Sequence, residues 1–181
     1  MFLPPPASRG LWTIQHLVVS PDDSQSSSLR SLLKGRGFVP PGKYTQLFYD
    51  GQLLMSDTPD EVGDLSPFVH NARGHVLING LGLGLALALT IHKVDHFTVV
   101  EIDADLIELV GPYWRTRLGP RLDLIHADAF EYTPPRGARY NAVWHDIWPT
   151  VCPDNLPDMK RLRKKYQRRT VWQGCWGEDQ L

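Results

Sequence analysis

Only two cysteines occur in 181 residues, Cys152 and Cys175, and they are set at no metal-ligand spacing. A disulfide framework and a thiolate metal cluster are thereby excluded, and reduced thiols in a cytoplasmic protein are the expectation. No run of 18 apolar residues occurs, and Met1-Phe2-Leu3-Pro4-Pro5-Pro6 has no basic stretch leading into an apolar one. Neither a membrane span nor a secretion signal is expected. The seven histidines are scattered. Only His92 and His96 are close, flanking a predicted helix-to-strand turn, and no metal site is expected. What the chain does have is 42% hydrophobic and 22% charged residues, enough to bury one core at this length.

The formal net charge of −1 hides an asymmetry, because seven of the 19 basic residues fall between Lys160 and Arg169. The other 171 residues carry 12 basic and 20 acidic groups, a net of −8. The basic run is a candidate for attracting nucleic acid or another polyanion. Met159, Leu162 and Tyr166 nevertheless fall on one narrow helical stripe that would dock on a sheet while the charges stay wet. A solvated helix face is the reading adopted.

The chain divides into an N-terminal extension, residues 1–70, and a core, residues 71–181. The extension has a Pro-rich start, a strand at Leu11 to Val19, a loop at Pro21 to Ser28 and a hairpin at Lys43 to Met55 turning at Asp50-Gly51. From Gly74 onward strands and helices alternate. Strands are expected at His75 to Asn79, His96 to Glu101, Leu122 to His126, Tyr140 to Asp146 and Thr170 to Gln173. Helices are expected at about Leu83 to His92, Ala104 to Leu118 and Leu156 to Gln167, with Asp103 capping the second. Such alternation predicts an α/β fold, a Rossmann-like doubly wound parallel sheet of about five strands, with ligands at the carboxyl ends of the strands.

The richest stretch is Val76-Leu77-Ile78-Asn79-Gly80-Leu81-Gly82-Leu83-Gly84. Three glycines at alternate positions follow an apolar strand and open an apolar helix, where positive φ and close backbone approach to a ligand are available. Twenty-one residues after Gly80, Glu101 ends a β-branched strand, placed to meet a ribose diol. Asp128 and Asp146 close two further strands. Strand termination, a helix cap and a turn are the blander roles for Glu101, Asp103 and Asp128. His145, adjacent to Asp146, should point to the opposite sheet face. Trp144, Trp148, Trp172 and Trp176 should gather at one end of the sheet, as packing or as aromatic faces for a cation.

The glycine stretch, Val99-Val100-Glu101-Ile102-Asp103, Leu124-Ile125-His126-Ala127-Asp128-Ala129 and Tyr140-Asn141-Ala142-Val143-Trp144-His145-Asp146 together resemble the class I S-adenosylmethionine-dependent methyltransferase superfamily, and within it the spermidine synthase-like branch. The resemblance implies a glycine loop, Gly80, Gly82 and Gly84, beside the methionine part of the cofactor. It implies Glu101 on both ribose hydroxyls, Ile102 on the adenine face, Asp128 and the Ala129 amide on the adenine edge, and Asp146 orienting or deprotonating an attacking amine. The acid that the synthase branch carries inside the glycine loop is replaced by Leu83. Its second acid before the proline is missing from Asp146-Ile147-Trp148-Pro149. Three functions stay open: methyl transfer to a small nucleophile such as an amine, a catalytically inactive cofactor-binding module, and aminopropyl transfer from decarboxylated S-adenosylmethionine in polyamine chemistry. A homodimer through an exposed sheet edge is also expected, because complete members carry two more strands.

Overall fold

The computed structural model describes residues 3–25 and 37–181. Its first sheet is antiparallel, with β1 (Ala7–Arg9), β2 (Trp12–Val19), β3 (Gly42–Tyr49) and β4 (Gln52–Ser56) in sequence order. β2 and β3 pair over their full length, from Trp12 opposite Tyr49 to Val19 opposite Gly42. Asp50 and Gly51 turn the β3–β4 hairpin with φ of 47° and 74°, the left-handed pair that a tight two-residue turn demands. The expected hairpin is therefore part of a four-stranded sheet, in which β1 is an addition.

Residues 21–25 are helical where a loop was expected. Ser20 and Asp23 explain the difference: the Asp23 amide donates to Ser20 Oγ at 3.2 Å and the Ser20 amide to Asp23 Oδ2 at 3.3 Å, a reciprocal helix-start cap. The rest of that expected loop, Ser26 to Ser28, lies outside the described residues.

Two short helices, α1 (Pro59–Asp64) and α2 (Ser66–Asn71), lead into the second sheet. Each carries a proline in its first turn, where a missing N–H costs nothing. The second sheet contains β5 (Gly74–Asn79), β6 (Val94–Glu101), β7 (Leu122–His126), β8 (Tyr140–His145) and β9 (Thr170–Cys175). All its pairings are parallel, in the order β7-β6-β5-β8-β9. The crossovers carry α3 (Leu85–Thr90), α4 (Ala104–Leu118) and α5 (Leu156–Tyr166).

Both faces are covered. On one face Val76, Ile78, Phe97 and Val99 share a core with Leu106, Val110 and Trp114 of α4 and with Phe68 of α2. On the other, Leu77, Tyr140 and Val143 pack with Tyr166 of α5. Met159, Leu162 and Tyr166 are all buried, so the narrow stripe of α5 does dock on the sheet. The core is an α/β, Rossmann-like doubly wound sheet of five parallel strands. Asp103 caps α4 as expected, accepting from the Leu106 amide at 3.0 Å. No helix among the described residues is long and apolar enough to cross a membrane.

Several boundaries differ. α3 starts at Leu85, not Leu83, because Gly84 is left-handed at φ 76° and no helix passes through it. β6 begins two residues before His96, since Val94 buries and pairs with Gly74. β8 stops at His145, leaving Asp146 just past the strand, and β9 continues to Cys175.

The antiparallel sheet leans on α4. Arg9 Nε lies 3.0 Å from Asp105 Oδ1 and its guanidinium also meets Glu108. Ile14 and Leu47, each 1% exposed, belong to the same core as Val76 and Trp114. The small sheet thus forms one wall above the carboxyl ends of the parallel strands.

Candidate cofactor site

β5 runs between β6 and β8, so the chain segments leaving all three emerge side by side. Pairing extends one residue past each strand. The Gly80 amide donates to Val100 O at 2.8 Å, the Asp146 amide to Asn79 O at 2.8 Å, and the Ala127 amide to Glu101 O at 2.9 Å. Gly80, Gly82, Glu101, Ile102, Asp128, Ala129 and Asp146 therefore line one cleft of about 640 Å³. That is within the range of small-molecule sites.

The three glycines answer to three different neighbours. A Cβ on Gly80 would overlap the Asp146 carbonyl, and one on Gly84 the Trp114 indole, whose Nε1 donates to Leu83 O at 3.0 Å. Those two glycines serve the packing of strand end and helix α4, and Gly84 does not line the cleft. Gly82, at φ 50°, faces a movable side chain, the thioether of Met55. Met55 Sδ accepts from the Leu83 amide at 3.2 Å. The chain's own thioether occupies the middle of the glycine loop.

Glu101 is 7% exposed, and its two oxygens accept from the Leu81 amide at 2.8 Å and the Asp103 amide at 2.9 Å. It clamps the glycine loop to the start of α4. Burial pushes its carboxyl above the ordinary range, and the backbone amides, chiefly that of Asp103, oppose the shift. Each oxygen keeps acceptor capacity beyond its single amide. Ile102 is 64% exposed on the rim. Asp128 Oδ1 accepts from the Phe130 amide at 2.7 Å, the local turn that was its blander reading, while the residue still faces the cleft. Ala129 is buried, and its carbonyl, with that of Phe130, receives Lys165 Nζ at 2.9 and 2.7 Å. One residue of the basic run thus holds the loop that carries Asp128.

Asp146 sits deeper. It is partly reachable from the cleft but otherwise enclosed, and burial pushes its carboxyl up to about 7, with Asp64 and Glu101 adding repulsion. The opposing influence is the Trp144 indole, whose buried Nε1 has no partner at hydrogen-bond distance. His145 points to the other sheet face, as the strand alternation required. Its Nδ1 is 2.7 Å from Asn79 Nδ2, and its ring lies 5.6 Å from that of Tyr166. Burial holds this imidazole down at about 4, so it is neutral and takes no part in the cleft.

The tryptophans divide rather than gather. Trp144 and Trp172 stack with ring centroids 6.2 Å apart inside the core, while Trp148 and Trp176 line the cleft. Opposite them the antiparallel sheet contributes Trp12 and Tyr49, 4.7 Å apart, together with Leu47 and Met55. Glu61 of α1 completes this end. The sequence did not place these residues at the cleft, because contacts spanning tens of residues leave no local period. The buried face of the hairpin, alternating through Leu47, was their one visible trace. No cluster of metal-ligating side chains occurs among the described residues.

No protein-family model matches the sequence, and no curated protein matches it. Solved structures do resemble the chain. A dimethyladenosine transferase from Plasmodium falciparum is 14% identical with a TM-score of 0.47, covering 64% of this chain and 41% of its own. Spermidine synthase from Thermotoga maritima is 20% identical with a TM-score of 0.43, over 55% and 38%. An S-adenosylmethionine-dependent methyltransferase from Clostridium acetobutylicum is 10% identical with a TM-score of 0.43, over 60% and 44%. The structural neighbours thus include S-adenosylmethionine-dependent methyltransferases, with spermidine synthase among them. The chain spans less than half the length of these three. Identities this low speak to fold alone.

Proposed function

We propose that the chain binds S-adenosylmethionine and transfers its methyl group to a small nucleophile, an amine by preference. The observation that carries this reading is that buried Glu101 and half-buried Asp146 line one cleft together with the glycine loop. The residues fit the cofactor. Glu101 offers acceptor oxygens for two ribose hydroxyls, Asp128 an acceptor for an amino group, Ile102 an apolar face, and Gly82 a cradle that a Cβ would fill. When bound, S-adenosylmethionine supplies an electrophilic methyl carbon.

The chain's own residues do the rest. Asp146, with a carboxyl at about 7, is matched to accept a proton from an incoming ammonium near neutral pH. Trp148, Trp176, Trp12 and Tyr49 exclude water and present aromatic faces to a cation. Leu83 and the Ile147-Trp148-Pro149 sequence lack the extra acids of the spermidine synthase-like branch, which counts against an aminopropyl acceptor. Decarboxylated S-adenosylmethionine is therefore the secondary cofactor. A catalytically inactive binding module is the second reading, supported by Met55 on the Leu83 amide. We place the protein in the cytoplasm, with a second copy pairing along the β9 edge, where Val171 is 76% exposed.

Methyl transfer to a panel of amines, measured in parent and Asp146→Asn, tests the reading. Product from the parent and at least a hundredfold less from the variant supports it. Tight cofactor binding with no product from any amine moves the assignment to the inactive module.

A further inference from the structure

The basic run is not uniformly solvated. Among its seven cations, Lys165 is committed to the Ala129 and Phe130 carbonyls, Arg163 meets Glu178, and Arg161 lies 3.5 Å from Glu131 and 4.6 Å above the Phe130 ring. Lys160, Lys164 and Arg168 are exposed and pair with no carboxylate among the described residues. At the end of α5 the surface folds inward to a concavity of about 360 Å³, lined by Gly137, Arg139, Lys164, Lys165, Gln167, Arg168 and Arg169. Five of its seven lining residues are cationic and none is acidic.

Two of these cations are held in place by backbone rather than neutralised. Arg139 donates to Arg168 O, and Arg169 Nη1 donates to Pro135 O at 3.4 Å. A guanidinium has five N–H donors, so both retain free ones. The carboxylates that act on Lys165, Glu131 and Asp128, do not line the concavity. Lys160 and Lys164 are four residues apart on α5, an advance of about 6 Å along the helix axis, close to the step between successive phosphates of a nucleic-acid strand, and Arg168 follows in the turn after the helix ends at Tyr166.

We propose that this concavity, extended by Lys160, binds the phosphodiester backbone of a nucleic-acid strand. Concentrated, uncompensated cations are the electrostatic footprint of such a ligand. A lipid surface is disfavoured because an interfacial helix needs an apolar face to bury. The one apolar stripe of α5, Met159, Leu162 and Tyr166, is already consumed by the sheet. The concavity shares no lining residue with the cofactor cleft, so the proposal stands independently of methyl transfer.

The test is fluorescence anisotropy of a labelled single-stranded RNA of about 20 nucleotides, a length that spans one such binding surface. Parent protein is compared with Lys164→Glu/Arg168→Glu, and with Lys43→Glu on the antiparallel sheet as a charge-reversal control outside the concavity. Binding by the parent should weaken roughly thirtyfold between 50 and 200 mM salt, as about three to four neutralised phosphates require. The double variant should bind at least tenfold more weakly with a shallower salt dependence, while Lys43→Glu matches the parent and thermal melting shows all three folded. Four results would each overturn the proposal: no binding by the parent at low salt, parent-like binding by the folded double variant, full competition by 5′-AMP, or binding to anionic phosphatidylserine vesicles but not to RNA.

Discussion

Glu101 and Asp146 stand at the ends of β6 and just past β8, the two strands that flank β5, and they share one cleft. Burial raises both carboxyls. What separates them is the backbone around them. Glu101 receives two amides and is locked into a clamp between the glycine loop and α4, whereas Asp146 has only an indole N–H nearby and reaches about 7. Two acids in one cleft thus differ in the donors around them, and under the proposed function one serves as a fixed acceptor and the other takes a proton.

The comparison is broken most severely by Glu101→Ala. Removing the clamp leaves the buried Leu81 amide without an acceptor, at roughly 1–3 kcal/mol, and the half-buried Asp103 amide, at about 1 kcal/mol. Denaturant unfolding should show a loss of about 2–4 kcal/mol, and cofactor binding should fall at least a hundredfold. Asp146→Asn should instead leave cofactor affinity within about threefold while lowering turnover by roughly 10²- to 10⁴-fold. In the parent, turnover should rise with pH through about 7, and the variant should lack that limb.

Stability against pH sharpens the contrast further. Asp146 has a folded value near 7 against an ordinary 3.8, so the native state holds its proton more tightly than the unfolded chain does. Its favourable contribution is complete below about 3.8 and is lost as pH rises through 7. Asp146→Asn should therefore gain stability relative to the parent at pH 8 compared with pH 4, by at most about 4 kcal/mol, read by thermal melting. The smallest effect is expected at Met55→Leu. That substitution keeps the volume but frees the Leu83 amide for ligand, and calorimetry should show cofactor affinity rising about two- to fivefold.

The parallel core was legible because its signals are local. Apolar stretches marked β5 and β8 and a β-branched run marked β6, while Glu101 and Asp146 stood at or just past the ends of two of them. The apolar stripe of α5 was equally readable. The fit failed where one residue's conformation overruled a pattern. Leu83 reads as the first residue of an apolar helix, yet left-handed Gly84 delays α3 to Leu85. α1 and α2, six residues each, are too short to show a helical period. In the site, the polar residues at strand ends could be named in advance. The wall of Trp12, Tyr49 and Met55 could not, because it is brought over the cleft by docking of a separate sheet on α4. Nor did the glycine pattern reveal that Gly84 accommodates Trp114 rather than a ligand.

The most direct test is calorimetric titration of the intact chain with S-adenosylmethionine, repeated on Glu101→Ala and Asp146→Asn. The account predicts saturable binding by the parent and by Asp146→Asn, and its loss in Glu101→Ala. Absence of heat from the parent, or unchanged affinity in a folded Glu101→Ala variant, would contradict it.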